Sequence, residues 1–246
     1  MKKLVLFLCS ALIIGFNSCN SDEPLVDDGG NPIPTQRKIT KIEIVGYDGI
    51  LKSTATFNYN NKGQWIAYQL VRNNEDNDLR EKFSISYIQN TIIVKNDIPD
   101  RFSEDNISRT MTLNNKGQII TNTDIYDSYT YNNDYLIGMT LDGRDYVSFE
   151  YSNGNLIKCK EGNYTYNITY TDIEDKIGLN IIPFDYNDGD CKMSPNNPLY
   201  QFGFFGKKSK NLIKSVSNGL KYTYKLDQEG YVTEIDIPNI IYKIYY

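Results

Sequence analysis

The chain has 246 residues, 26 lysines and arginines against 31 aspartates and glutamates, a net charge of −5 and no histidine. An acidic balance whose longest basic cluster is "GKKSK" at 206–210 lacks the electrostatic footprint of a nucleic-acid binder. The missing histidine removes the usual general base, the Ser/His and Cys/His nucleophile pairs and the commonest zinc ligand, so no cofactor or metal is expected and any enzyme would have to work through carboxylates, Lys or Tyr.

The chain opens with "MKKLVLFLCSALIIGFNSCNSDEP": a basic start at Lys2 and Lys3, an apolar run from Leu4 to Phe16, and Ser18 directly before Cys19. That order is an export signal over residues 1–18. The apolar run is about 13 residues, short of the roughly 20 that a membrane-spanning helix needs. A cysteine after a small residue resembles a bacterial lipobox, which implies cleavage before Cys19 and its acylation with fatty chains such as palmitate. Phe16 and Asn17 depart from the usual lipobox residues, and ordinary secretion with cleavage nearby is the alternative. Two or three acyl chains hold a protein stably on a bilayer, so the lipid bilayer, reached through Cys19, is one expected partner. Loss of Lys2 and Lys3 with the leader leaves 24 basic against 31 acidic residues, a mature charge of about −7.

Residues 19–37 read as a flexible acidic tether containing Pro and Gly. Ser21, Asp22 and Glu23 resemble the acidic export signal of surface lipoproteins in Bacteroidetes-type bacteria. The resemblance implies a lipid-anchored outer-membrane protein exposed on the cell surface, with a periplasm-facing lipoprotein as the alternative.

From residue 38 to 246 the apolar period is two. Ala55, Phe57 and Tyr59 share one face against Thr54, Thr56 and Asn58, and Phe83, Ile85 and Tyr87 alternate with Ser84 and Ser86. With 21 tyrosines and many β-branched residues, this predicts half-buried antiparallel strands. Turn signals recur, often every 9 to 15 residues. The expected fold is all-β, a single-domain antiparallel meander of about 12–16 strands forming a barrel-like or strongly curved sheet.

The stretch "FNYNNKGQW" at 57–65 returns as "MTLNNKGQI" at 111–119, "YTYNNDYLI" at 129–137, "FEYSNGNLI" at 149–157 and "YTYKLDQEGYV" at 222–232. In the first two, Asn opens a four-residue turn and Gly supplies the positive φ that closes a type I turn with a bulge. The recurring unit is therefore strand, tight turn, strand. "NLIKCKEGNYTYNITY" from Asn155 aligns with "NLIKSVSNGLKYTYKL" from Asn211, and the Pro-, Gly-, Asn- and Asp-rich section between them reads as a long loop insertion at about 171–208.

Cys159 and Cys191 are the cysteines left if Cys19 is acylated. An exported chain permits a bridge between them, and two buried free thiols are the alternative. "DYNDGDCKM" at 185–193 offers Asp185, Asn187, Asp188 and Asp190 as oxygen ligands. Gly189 falls at the fifth position of an EF-hand count and Asn196 stands where a bidentate Glu belongs, so the stretch reads as a solvated turn, as does "NNEDND" at 73–78. The last strand, "IPNIIYKIYY", ends like the closing strand of an outer-membrane barrel. A spanning barrel needs an apolar outward face, whereas the second face here is Thr, Ser, Asn, Lys and Glu.

The leader, acidic tether and repeated tyrosine hairpins together resemble a family of uncharacterised Bacteroidetes lipoproteins with a porin-like fold. The resemblance implies an architecture and brings no activity. The functional expectation is a non-catalytic outer-membrane or surface lipoprotein that binds a glycan, a peptide or an envelope protein; a carboxylate-dependent hydrolase or a structural envelope subunit are the alternatives. Trp65 beside Tyr68 reads as core, and Tyr126, Tyr135, Tyr231 and Tyr245 are candidates for outward-facing rings. No catalytic residue is assigned.

Overall fold

The computed structural model describes residues 37–73, 79–97, 108–122, 128–178 and 204–246. Among them are sixteen antiparallel strands and no helix. Ten form one sheet: β1 (Lys41–Gly46), β2 (Leu51–Tyr59), β3 (Trp65–Arg72), β4 (Leu79–Ile88), β5 (Thr91–Asn96), β6 (Ser108–Leu113), β7 (Ile119–Asn122), β14 (Thr223–Leu226), β15 (Val232–Ile237) and β16 (Ile240–Tyr245). Six form the other: β8 (Ser128–Asn132), β9 (Tyr135–Leu141), β10 (Arg144–Ser152), β11 (Asn155–Glu161), β12 (Tyr164–Glu174) and β13 (Asn211–Val216).

Strands consecutive in sequence pair with each other except at β7/β8 and β13/β14, and β16 pairs with β1 from Lys41↔Tyr245 to Gly46↔Ile240. The expected meander is therefore present as two curved sheets. They are not closed into one barrel by continuous strand pairing. At β13/β14 the junction is an isolated bridge, Ser215↔Lys221. At β7/β8 the segment Phe204–Lys207 enters the gap: the Ile119 amide donates to Phe204 O (2.8 Å), Gly206 bridges to Tyr135, and the Lys207 amide donates to Asp134 O (2.8 Å). Gly206 has φ +83°, and a Cβ there would collide with the Asp134 carbonyl oxygen, so only glycine lets this segment lie so close.

The inward face of both sheets forms one contiguous apolar core. Ile92, Ile119 and Ile235 meet it from the larger sheet, and Leu136, Leu156 and Leu212 from the smaller. Trp65 is 2 % exposed and donates its indole N–H to Ala67 O (2.7 Å), packing edge-on to Tyr68 as expected of a core residue. Cys159 is likewise 2 % exposed. Burial pushes its thiol up to about 12, and Cys191 lies outside the described residues.

The outward face carries Lys52, Thr112, Ser148, Lys160 and Lys214, all exposed. Across four strands it holds a sign-alternating ladder, Lys225↔Glu234↔Lys243↔Glu43. Apolar inside and charged outside is the reverse of a lipid-facing barrel, whose outer band must be apolar.

The hairpins that start the chain's count define two rims. At one rim lie Arg37, the last residue Tyr246, and the turns after β2, β4, β6, β8, β10 and β14. The expected turn chemistry is present there. Asn60 Oδ1 accepts from the amides of Lys62 (3.0 Å) and Gln64 (2.9 Å), and Gly63 has φ +74°. Asn114 repeats this with Lys116 and Gln118, and Asp227 does so with Glu229 and Tyr231.

The second aromatic of the repeat has a separate role at this rim. Tyr59, Tyr87, Tyr131, Tyr170 and Tyr224 lie on β2, β4, β8, β12 and β14, and Tyr246 directly follows β16; each hydroxyl donates to a backbone carbonyl within or just before the first three residues of the preceding strand. The acceptors are Ile39, Trp65, Ile119, Leu156, Ile213 and Val232, at 2.7–2.8 Å. A register shift falls directly before Tyr59, Leu113, Tyr131, Tyr151 and Tyr170, the local kink that re-aims a side chain at a strand end.

β12 holds its pairing to Glu174 against Asn211, at the start of the section expected as an insertion at about 171–208. Asp175–Gly178 and Phe204–Lys210 are also described, and both flanks lie against the tyrosine rim. Phe204 packs near Tyr87 and Phe205 against Tyr129, while Ser209 meets the Tyr170 hydroxyl at 2.9 Å. Residues 185–193 and 74–78 lie outside the described residues.

Candidate functional site

Three hairpins at this rim, β4–β5, β8–β9 and β10–β11, turn through two residues instead of the self-capped loop, and the last two are adjacent. β8–β9 and β10–β11 turn through only two residues, Asn133–Asp134 (φ 48° and 70°) and Asn153–Gly154 (φ 51° and 80°). Positive φ at both central positions is the tight hairpin turn that Asn, Asp and Gly favour. In such a turn there is no four-residue loop for the Asn side chain to cap. Asn60 and Asn114 spend their carboxamides on their own turns, whereas the side chains of Asn132, Asn133, Asn153 and Ser152 make no hydrogen bond to another described residue.

Between these two hairpins is a cleft of about 300 Å³ lined by Asn132, Asn133, Tyr135, Ile137, Tyr151, Ser152, Asn153 and Gly154. That volume is at the small end of ligand pockets, which suits about one or two sugar-sized rings. Tyr135 and Tyr151 pack at 4.6 Å between ring centroids with an interplanar angle of 39°. Tyr151 holds the rim position on β10 that the carbonyl-binding tyrosines hold on other strands, and it is anchored against the core. The wall beside Gly154 is fixed by the Lys210 amide, which donates to Gly154 O (2.9 Å).

Charge around the cleft is uneven. Asp134, at the tip of the β8–β9 turn, pairs with Lys116 and with Lys207 (3.7 Å). The hydrogen bond from Lys116 holds the Asp134 carboxyl below its usual range, helped by the charge of Lys207. Lys207 Nζ lies 5.7 Å from the Tyr135 ring centroid. The side chain of Lys210 passes beside Gly154, its Cβ about 3.5 Å from where a side chain on Gly154 would begin.

Of the tyrosines singled out in the sequence that are among the described residues, Tyr135 lines this cleft. Tyr245 is exposed on the outer face, donating to Glu43 Oε2 (2.7 Å) with Lys41 over its ring. Tyr231 is half-buried under Arg37 and edge-on to Tyr246, and Tyr126 lies outside the described residues. Tyr151 and the asparagines were hidden inside the repeat. The available signal was the shortened turn, "YNND" and "YSNG" where "YNNKG" would cap itself.

A second polar cluster lies under the insertion flanks. Asp175 Oδ1 accepts from the amides of Gly178 (2.7 Å) and Ile177 (3.2 Å). Lys208 runs across Gly178, and its ammonium is pushed down to about 8 by desolvation, partly offset by the Asp175 charge. Ser209 links the second flank to the Tyr170 hydroxyl.

No protein-family model and no curated protein match the chain. Among solved structures it is similar to a porin-like protein from Bacteroides uniformis ATCC 8492, with 22 % identity, a TM-score of 0.59, and 85 % of this chain and 98 % of that one covered. It is also similar to a porin-like protein from Bacteroides vulgatus ATCC 8482, with 12 % identity, a TM-score of 0.50 and the same coverage. The fold is therefore porin-like, and at these identities the likeness extends to the fold alone.

Proposed function

We propose that the chain is a non-catalytic, lipid-anchored envelope protein that binds saccharide in the cleft between the β8–β9 and β10–β11 hairpins. The observation that carries this reading is a packed tyrosine pair bordered by three uncommitted carboxamides. Aromatic rings offer an apolar face to the C–H side of a sugar, and amides and a serine hydroxyl match its hydroxyl groups as donors and acceptors.

The mature chain, probed on a panel of oligosaccharides by calorimetry, is expected to bind at least one class. Tyr135→Ala and the double Asn132→Ala, Asn153→Ala are expected to weaken that binding at least about tenfold, a loss on the order of 1.4 kcal/mol. Native circular dichroism in the asparagine variant separates lost binding from lost fold. Unchanged affinity in both variants would remove the cleft from the reading.

The anchor rests on the leader, on Cys19 and on the acidic residues Asp22 and Glu23. Cys19→Ser is expected to move the chain from the membrane to the soluble envelope fraction. A variant that stays membrane-bound through detergent-free washing would end the lipoprotein proposal, and with it the outer-membrane surface location.

A further inference from the structure

We propose that the cleft selects acidic saccharides, sugars bearing a carboxylate such as uronic acids, through Lys207 and Lys210; this rests on the saccharide reading of the same site. Among the described residues, Lys207 and Lys210 lie beside cleft-lining residues, Tyr135 and Gly154, while Asp134 sits in the β8–β9 turn. Glu150, next to Tyr151 in sequence, is neutralised across the strand pair by Lys158 at 2.7 Å. Asp134 is shared between Lys116 and Lys207.

Lys210 has no anionic partner among the described residues, and its side chain leaves the backbone beside Gly154, on the cleft wall. Lys207 stands over Tyr135, one of the two rings on which a sugar would stack. A pyranose lying on the tyrosine pair would therefore bring an equatorial carboxylate toward ammonium groups while its hydroxyls face Asn132, Asn133 and Asn153. The residues lining the cleft itself supply no carboxylate to oppose it.

The chemistry makes the preference salt-dependent, since contacts between exposed charges are screened within about 10 Å at 0.1 M salt. The test compares a trigalacturonate with its fully methyl-esterified form, which keeps the rings and loses the charge, on the full mature chain by calorimetry. The charged oligomer is expected to bind about tenfold more tightly at low salt, the order of effect a charge-assisted contact gives, and the difference is expected to shrink in high salt. In the double variant Lys207→Gln, Lys210→Gln its Kd is expected to rise to that of the ester. Equal binding of the two oligomers would overturn the charge selection while leaving the saccharide site standing. Binding of neither would overturn both, and a preference that survives the double variant would overturn the assignment to these lysines.

Discussion

At Tyr131 the ring rests against the core while the hydroxyl donates to the Ile119 carbonyl at 2.7 Å, so one side chain contributes apolar burial and satisfies a backbone acceptor next to the β7/β8 junction. Tyr222 makes the opposite case, being 5 % exposed with no hydrogen-bond partner for its hydroxyl among the described residues. Removing one partner of a buried hydrogen bond strands the other, which costs about 1–2 kcal/mol, whereas deleting an unsatisfied polar group is neutral or favourable. Tyr131→Phe is therefore expected to lower the stability of the chain by about 1 kcal/mol in urea denaturation, and Tyr222→Phe to leave it unchanged or raise it. No loss in Tyr131→Phe would mean that ring packing, not the carbonyl bond, is what this rim tyrosine supplies.

At the scale of the hairpin, alternation and turn chemistry made most of the fold legible. "NNKG" at 60–63 and 114–117 specified a four-residue turn because the Asn side-chain oxygen can cap the amides two and four residues on while Gly takes the positive φ, and both turns are built that way. The period-two pattern also identified Phe57 and Ile85 as inward, and both are buried. Three things were not legible, each because it depends on partners far away in the chain. The second aromatic of the repeat read as one more inward residue, since its acceptor carbonyl belongs to another strand. The alignment of residues 155–170 with 211–226 paired Tyr170 with Leu226, while in the fold Tyr170 and Tyr224 play the same part. The cleft was invisible because it lies between two hairpins whose tight turns look weaker, not richer, than their neighbours. What frees Asn133 and Asn153 for a ligand is the loss of the very loop that made the motif recognisable.

For the molecule as a whole, the absence of histidine leaves little that titrates near neutrality, and the carboxylates held low by partners, Asp48, Asp134 and Asp227, sit on the surface, where ion pairs contribute little. The tyrosine rim places the strong pH dependence on the alkaline side. Burial raises Tyr87 and Tyr170 from about 10 to about 12, and raises Tyr59, Tyr131, Tyr224 and Tyr246 as well. Below pH 10 these groups are protonated in both folded and unfolded chains, and their contribution to stability is complete. Between about 10 and 12 the unfolded chain releases its phenolic protons while the folded rim retains them, so the unfolded state binds fewer protons and stability falls with pH. The six hydroxyls are distributed around both sheets, each donating to its own carbonyl, so ionising any of them both breaks a bond and buries a charge. The expected outcome is a cooperative transition in that window, with tyrosinate absorbance rising in step with loss of the β signal in circular dichroism, and a urea midpoint that drops steeply across it. On the acid side, stability should change far less between pH 7 and 4 than between pH 10 and 12. A smooth titration of all 21 tyrosines near their ordinary value, with the sheet signal intact, would show that the rim hydroxyls are open to water and that the fold does not depend on them.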